Sequence, residues 1–276
     1  MEHSMRQSWI IVSLLTLLLS ACFSREQRLT TDTANRIHLE ALYNTPRGPS
    51  TKRETLSPMR ASMLKEAALA LGAQGSLAYT SRYINSQLEQ DRKYLDTIFN
   101  FSGMMLTHGV LPPVLEEGDY TLNLEDPNTI RVADRSFKIV QPARFATTPP
   151  NWREYLIANF SNPELPSKSL WPRNSEESKI WKEGIDIGWE KGIEQTHAIF
   201  QQNLARLKRD FRGMALYRKL LQQNMISPPF VARTELGITG DGRDMRVNDQ
   251  VLRIVEPSKL QTSGQNWNAV VVKHGQ

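Results

Sequence analysis

The chain carries one unit twice, and this duplication limits the folds open to it more than any other feature. Val132-Ala-Asp-Arg-Ser-Phe-Lys-Ile-Val-Gln-Pro142 matches Val247-Asn-Asp-Gln-Val-Leu-Arg-Ile-Val-Glu-Pro257, and Pro112-Pro113 and Pro228-Pro229 precede the two matched stretches. Upstream, Gly72 aligns with Gly188, Leu77 with Ile193, Thr80 with Thr196, Ile84 with Phe200, Leu88 with Leu204 and Leu95 with Phe211, all at one spacing. Each copy therefore reads as a long helix followed by strands.

The helical half of each unit rests on periodicity. From Met59 to about Met105, Leu64, Ala68, Leu71, Leu77, Ile84, Leu88, Leu95 and Phe99 recur at helical steps, with Ser57-Pro58 as a start signal and Gly103 or Gly109 as a stop. From Glu176 to Gln223 the apolar stripe is Ile185, Trp189, Ile193, Phe200, Leu204, Leu207, Phe211, Met214, Tyr217 and Leu221, with charged residues opposite and Gly213 as a candidate break. Gly184, Gly188 and Gly192 stand four apart beside that stripe. Each costs up to about 1 kcal/mol relative to alanine in a helix. Such a line implies that another backbone comes close, either within the chain or from a partner.

Strands follow each helix. Tyr120–Leu124, Thr129–Val132 and Ser136–Val140 alternate around a turn at Asp126-Pro-Asn128; Leu236–Thr239, Met245–Val247, Val251–Val255 and Ala269–Val272 repeat the pattern around Gly240-Asp-Gly-Arg243. The expected fold is α+β: two duplicated units, each a long amphipathic helix followed by short antiparallel strands, sharing one core, with strands of both halves joined in a sheet. Residues 59–145 form the first unit and 176–276 the second. The connector at 146–175 holds Pro149, Pro150, Pro163, Pro166 and Pro172 among Trp152, Tyr155, Phe160 and Trp171. A short helix at Trp152–Phe160 and a loop packed on the body are expected there, because a bare linker rarely carries so many aromatics.

The N-terminus gives an address. Arg6 precedes an apolar run from Trp9 to Leu19 that ends Leu19-Ser20-Ala21-Cys22. The run is as long as a signal-peptide core and short of the roughly 20 residues that a spanning helix needs. Small side chains at Ser20 and Ala21 before a thiol form a lipobox: cleavage ahead of Cys22 removes residues 1–21, and acyl chains on Cys22 anchor the remainder. Cys22 is the one cysteine of the chain, so no disulfide competes for it. Phe23 and Ser24 follow, without the aspartate that retains enteric lipoproteins at the inner membrane. The expected location is the periplasmic face of the outer membrane, with residues 22–58 as a flexible tether, helical around Ala34–Tyr43.

Catalytic patterns are not found. The chain has no phosphate-binding glycine-lysine loop, no His-Glu-x-x-His and no nucleophile elbow, and His38, His108, His197 and His274 lack metal-ligand spacing. The expectation is no enzyme, no metal and no cofactor beyond the lipid on Cys22. Glu116, Glu117 and Asp119 are the one acidic cluster that suits glycan cleavage, so a lipoprotein acting on peptidoglycan through Glu117 is the alternative. The formal charge of +5, from 34 basic and 29 acidic residues, is spread along the chain, and direct nucleic-acid binding is not expected.

Pro149-Pro-Asn-Trp-Arg-Glu-Tyr-Leu156, Trp181 with Gly184, Gly188-Trp189 and Gly192, and Phe200-Gln-Gln-Asn-Leu204 are similar to the DotC family. So are Arg209-Asp210, Gly213-Met214, Tyr217, Pro228-Pro229, Gly237-Ile-Thr-Gly240, Val247-Asn-Asp249 and Arg253-Ile254. These are lipoproteins of type IVB (Dot/Icm) secretion systems, including the TraI-type lipoprotein of IncI-type plasmid conjugation. The resemblance implies an outer-membrane subunit of a periplasm-spanning core complex, working beside DotD-like and DotH-like subunits in a multimeric ring and bringing no catalytic residues. Trp152, Trp171, Trp181, Gly184, Gly188, Trp189 and Gly192 are the candidate partner-interface or close-packing positions.

Overall fold

The computed structural model of the chain describes residues 33–44 and 56–268. Leu19, Ser20, Ala21 and Cys22, together with the strand expected from Ala269, lie outside the described residues. The architecture is α+β, with a long helix and antiparallel strand pairs kept apart along the chain. In order come α1 (Thr33–Tyr43), α2 (Pro58–Gln90), α3 (Arg92–Ile98), β1 (Val110–Leu111), β2 (Val114–Asp126), β3 (Thr129–Gln141) and β4 (Arg144–Phe145). Then follow α4 (Trp152–Leu156), α5 (Ser175–Gln222), β5 (Phe230–Gly240) and β6 (Met245–Glu256). The described residues divide into two compact units, one within 33–87 and 158–199 and the other within 88–157 and 200–268. Each unit draws on both copies of the duplicated sequence, so the copies are not separate bodies.

In the first unit α2 and α5 lie side by side and run in the same direction. Serine 57 caps α2, its hydroxyl accepting the Arg60 N–H at 3.3 Å, and Pro58 takes the first helical position, where no N–H is needed. The Asn174 side chain caps α5 by accepting the Glu177 N–H at 2.8 Å. The contact between the helices is built from small residues. A Cβ added at Gly188 would lie 2.1 Å from the Leu69 carbonyl oxygen, and one at Gly72 would lie 2.4 Å from that of Ile185. Under the duplication Leu69 corresponds to Ile185 and Gly72 to Gly188, so these are one contact seen twice. Gly184 faces Ala68, and Gly192 faces Ser76 and Ala73; Ala68/Gly184 and Ser76/Gly192 are themselves equivalent pairs. The pseudo-twofold symmetry of the sequence is thus present in the packing. Leu64, Ala68, Leu71, Trp181 and Ile185 form the core beside the contact, and Leu39, Leu42 and Tyr43 of α1 pack on it. Burying each large side chain contributes about 1.5–3 kcal/mol. Within the span expected as a tether, residues 33–43 are this docked helix.

Neighbouring parallel helices need a return path, and the proline-rich connector supplies it. Asn85 Nδ2 donates to the Ala158 carbonyl at 2.9 Å, Pro163 lies beside Gly75, and Arg60 donates to the Ser169 and Trp171 carbonyls at 3.0 and 3.3 Å. The connector therefore runs antiparallel to α2. From Ala158 to Trp171 an extended chain covers about 40 Å at ~3.1 Å per residue. From Asn85 back to Arg60 the helix covers about 38 Å at ~1.5 Å per residue. The two lengths match closely, with one 3-10 turn at Lys168–Leu170, and the prolines favour extended backbone before it.

The second unit places the base of the first hairpin on the C-terminal half of α5. β2 and β3 form one antiparallel hairpin, with Leu122 opposite Val132 and Leu124 opposite Ile130. β5 and β6 form another, with Ile238 opposite Val247 and Gly240 opposite Met245. The short antiparallel strand pairs are present, and their ladders run a few residues past the segments expected, through polar residues that carry no alternation signal. They do not join into one sheet: each pairs only within itself, and a third pair, β1–β4, stands apart. The expectation of a joint sheet fails because the base of the first hairpin packs on helix instead. Leu115, Phe137 and Ile139 cluster with Tyr217, Leu220 and Ile226. Gly213 does not break α5; it lies under β2, where a Cβ would meet Leu115 O at 2.6 Å and Val114 Cγ1 at 2.5 Å. The first helical region ends at Ile98, earlier than Gly103, after an interruption at Asp91.

Candidate functional site

The Pro149–Leu156 motif builds a hydrogen-bonded polar site in the second unit. α4 opens with a capping box: the Asn151 side chain accepts the Arg153 N–H at 3.0 Å, and Glu154 Oε1 accepts the Asn151 N–H at 3.2 Å. The helix covers Trp152–Leu156, shorter than the Trp152–Phe160 expected, and buries Trp152 and Leu156. The Trp152 indole donates to Asp96 Oδ1 at 2.7 Å, and Arg153 bridges Asp96 at 2.9 Å and Glu89 at 3.0 Å with its guanidinium 4.3 Å above the Trp152 ring. The bonds from Trp152 and then Arg153 hold the Asp96 carboxyl below its usual range.

One turn on, the Tyr155 hydroxyl donates to Asp210 Oδ2 at 3.1 Å. Asp210 is 4% exposed, and its Oδ1 accepts from Arg209 at 2.9 and 3.0 Å and from Gln141 at 3.4 Å. Burial and then the Asp210 charge push the Tyr155 hydroxyl up to about 12. Phe101 stacks on the Tyr155 ring at 6.0 Å, and Phe211 meets Phe101 edge-on at 5.3 Å. Beside this network opens a cleft of about 500 Å³, lined by Pro142, Arg144, Pro150, Glu154, Tyr155, Arg206 and Asp210.

Of the candidate positions, Trp181, Gly184, Gly188, Trp189 and Gly192 lie together along α5 in the first unit, the glycines against α2. Trp181 and Trp189 are buried, and Trp189 meets the Tyr79 ring at 6.0 Å. Trp171 is half-buried, its indole donating to the Pro166 carbonyl at 3.0 Å inside the connector. Trp152 belongs to the other unit. From the sequence, Tyr155 was legible as a connector aromatic and in the resemblance, Asp210 in the resemblance alone and Arg206 as part of the charged face of the long helix, while Arg144 was not singled out. No local pattern connects a β4 arginine to one on α5; only the fold brings them to one cleft. Glu117, the acid of the alternative reading, is paired with Arg135 on the exposed hairpin surface, with Asp119 4.0 Å from the same arginine.

A second feature is legible only in three dimensions. On one face of the first hairpin Leu122, Leu124, Ile130 and Val132 are 61–72% exposed. On the second, Ile238, Met245 and Val247 are 60–72% exposed. Under the duplication Leu122 corresponds to Ile238, Ile130 to Met245 and Val132 to Val247. Among the described residues no group of His, Cys, Asp and Glu is placed to hold a metal ion, and no helix is long and apolar enough to cross a membrane.

No curated protein matches the chain. A family model described as type IV secretory system, conjugal DNA-protein transfer, matches residues 58–269, which begin at the first residue of α2 and take in both copies of the duplicated unit. With more than half of its length inside that match, the chain belongs to this family of type IV secretion proteins of conjugal transfer.

Proposed function

We propose that the chain is a non-enzymatic scaffold subunit of the envelope-spanning core of a type IVB secretion or conjugation apparatus. In this reading it is a DotC-like lipoprotein, held at the periplasmic face of the outer membrane by acyl chains on Cys22. It helps place DotD-like and DotH-like partners there, within a ring of repeated subunits. Family membership supplies the secretion context, with its other subunits. The single observation that carries the scaffold role is the pair of hairpins. Apolar side chains standing in water are unfavourable by about 25 cal/mol per Å² of exposed surface, so a contiguous row of them marks a surface that another molecule covers. Here the row occurs twice, at matching positions of the duplicated unit.

The test is made in donor cells. Tagged chain is recovered from membranes, its co-purifying subunits are identified, and conjugal transfer is measured. Replacing Leu122, Val132, Ile238 and Val247 together by aspartate is expected to leave the unfolding midpoint within a few degrees, strip the co-purifying subunits and abolish transfer. Normal assembly of that variant would refute the scaffold role. Separately, Cys22→Ser is expected to move the protein out of the outer-membrane fraction; its persistence there without partners would refute lipid anchoring.

A further inference from the structure

We propose that the Arg144–Arg206 cleft is a carboxylate-binding site that takes an acidic side chain on a segment of a partner protein. The two guanidiniums arrive from different elements, Arg144 from β4 and Arg206 from α5, and line one cleft with Tyr155. Arg206 sits over the Tyr155 ring at 5.3 Å, so its planar group is held in place by an aromatic face. The acids already present are engaged elsewhere. Glu154 is turned to the Asn151 N–H in the capping box, and Asp210 is taken by Arg209, Tyr155 and Gln141. Among the described residues neither Arg144 nor Arg206 has an ion-pair partner. Two exposed guanidiniums across a cleft of about 500 Å³ suit the forked geometry of a carboxylate, which accepts paired N–H bonds. Pro142 and Pro150 add apolar lining against which an extended peptide can pack. Tyr155 meets Arg206 with one ring face and is itself hydrogen-bonded to Asp210.

The site is tested on the purified full chain, without the rest of the apparatus, so its failure is separate from failure of the scaffold reading. A random peptide library is panned against the protein, and an enriched peptide is measured by fluorescence anisotropy. The expected result is enrichment of peptides that share an Asp or Glu. Their affinity is expected to fall about tenfold for Arg144→Gln and about tenfold for Arg206→Gln, the effect of one charge-assisted bond each. Both substitutions are at exposed side chains, and an unchanged unfolding midpoint verifies that the variants fold. Arg233→Gln, on the second hairpin, is expected to change nothing. Recovery of peptides without a shared acid, or equal binding to the double variant, overturns the proposal. So does arginine-dependent binding of inorganic phosphate or phosphatidylglycerol vesicles in the absence of peptide binding, which would assign the cleft to a phosphate group.

Discussion

At the scale of single residues, Gly188 is the tight point of the contact between the two long helices. Its Cα faces the backbone of Leu69, so an added methyl has no flexible side chain to push aside. Gly188→Ala removes a backbone-entropy penalty of about 1 kcal/mol in the helix. It also forces the two helices apart, and the clash wins, because overpacking of this kind costs about 1–3 kcal/mol and here the obstacle is main chain. We expect net destabilisation, read as a lower urea midpoint, whereas Gly103→Ala, with nothing within 4 Å of its added Cβ, should be neutral. A midpoint for Gly188→Ala at or above that of the parent would show that the helices do not touch as described. Glu177 makes a second residue-scale prediction. Its carboxylate takes two bonds from Arg60, at 2.6 and 2.9 Å, and one from the Arg173 N–H at 2.8 Å, which together hold its pKa below the ordinary glutamate range. A folded pKa below the unfolded one contributes stability above the unfolded value and loses it as pH falls through the folded value. The parent should therefore weaken on acidification below about pH 4.3. Glu177→Gln should be less stable at neutral pH by about 2 kcal/mol and lose less than the parent over that acid step. Parallel pH profiles for the two would remove Glu177 from the explanation.

Among the elements, the long helices were readable and the connector's task was not. Periodicity placed the second helix to within one residue at each end, because its apolar stripe is nearly unbroken from Ile185 to Leu221. The glycine line was readable as a site of close approach, but nothing local said that the approaching backbone was α2 or that the two helices run parallel. That arrangement depends on the connector, whose proline content reads equally well as a loop. The cleft was hidden for a related reason: Gln141, Arg144, Tyr155, Arg206 and Asp210 come from elements that only the fold brings together. If the connector works as an extended return strut, its prolines matter through the unfolded state. Pro163→Ala and Pro166→Ala should each cost about 0.4–1 kcal/mol by adding freedom to the unfolded chain. Deleting Leu165 and Pro166 should be far worse, because about 6 Å is then missing from a path that has little slack. Calorimetry of the deletion would decide: an unfolding temperature close to that of the parent would mean the connector is merely a loop.

For the whole molecule, the duplication has different consequences in the two units. In the first it makes an internal contact in which Leu69–Gly188 and Ile185–Gly72 repeat one another, so both copies are consumed in folding. In the second it leaves two hairpins, each pairing only within itself and each with the same apolar face in solvent. Matching faces call for matching partner surfaces, and two linked contacts bind far more tightly than either alone, by roughly 10²–10⁴. Breaking one hairpin face should therefore be nearly as damaging as breaking both. Val132→Asp and Val247→Asp each replace an exposed side chain, so each should change folding stability by no more than about 0.5 kcal/mol. Either substitution alone should nevertheless reduce recovery of co-purifying subunits almost to the level of the double variant. Full assembly of both single variants would show that the exposed rows are not jointly used, whereas loss of different subunits from each would show that the two copies have diverged toward separate partners.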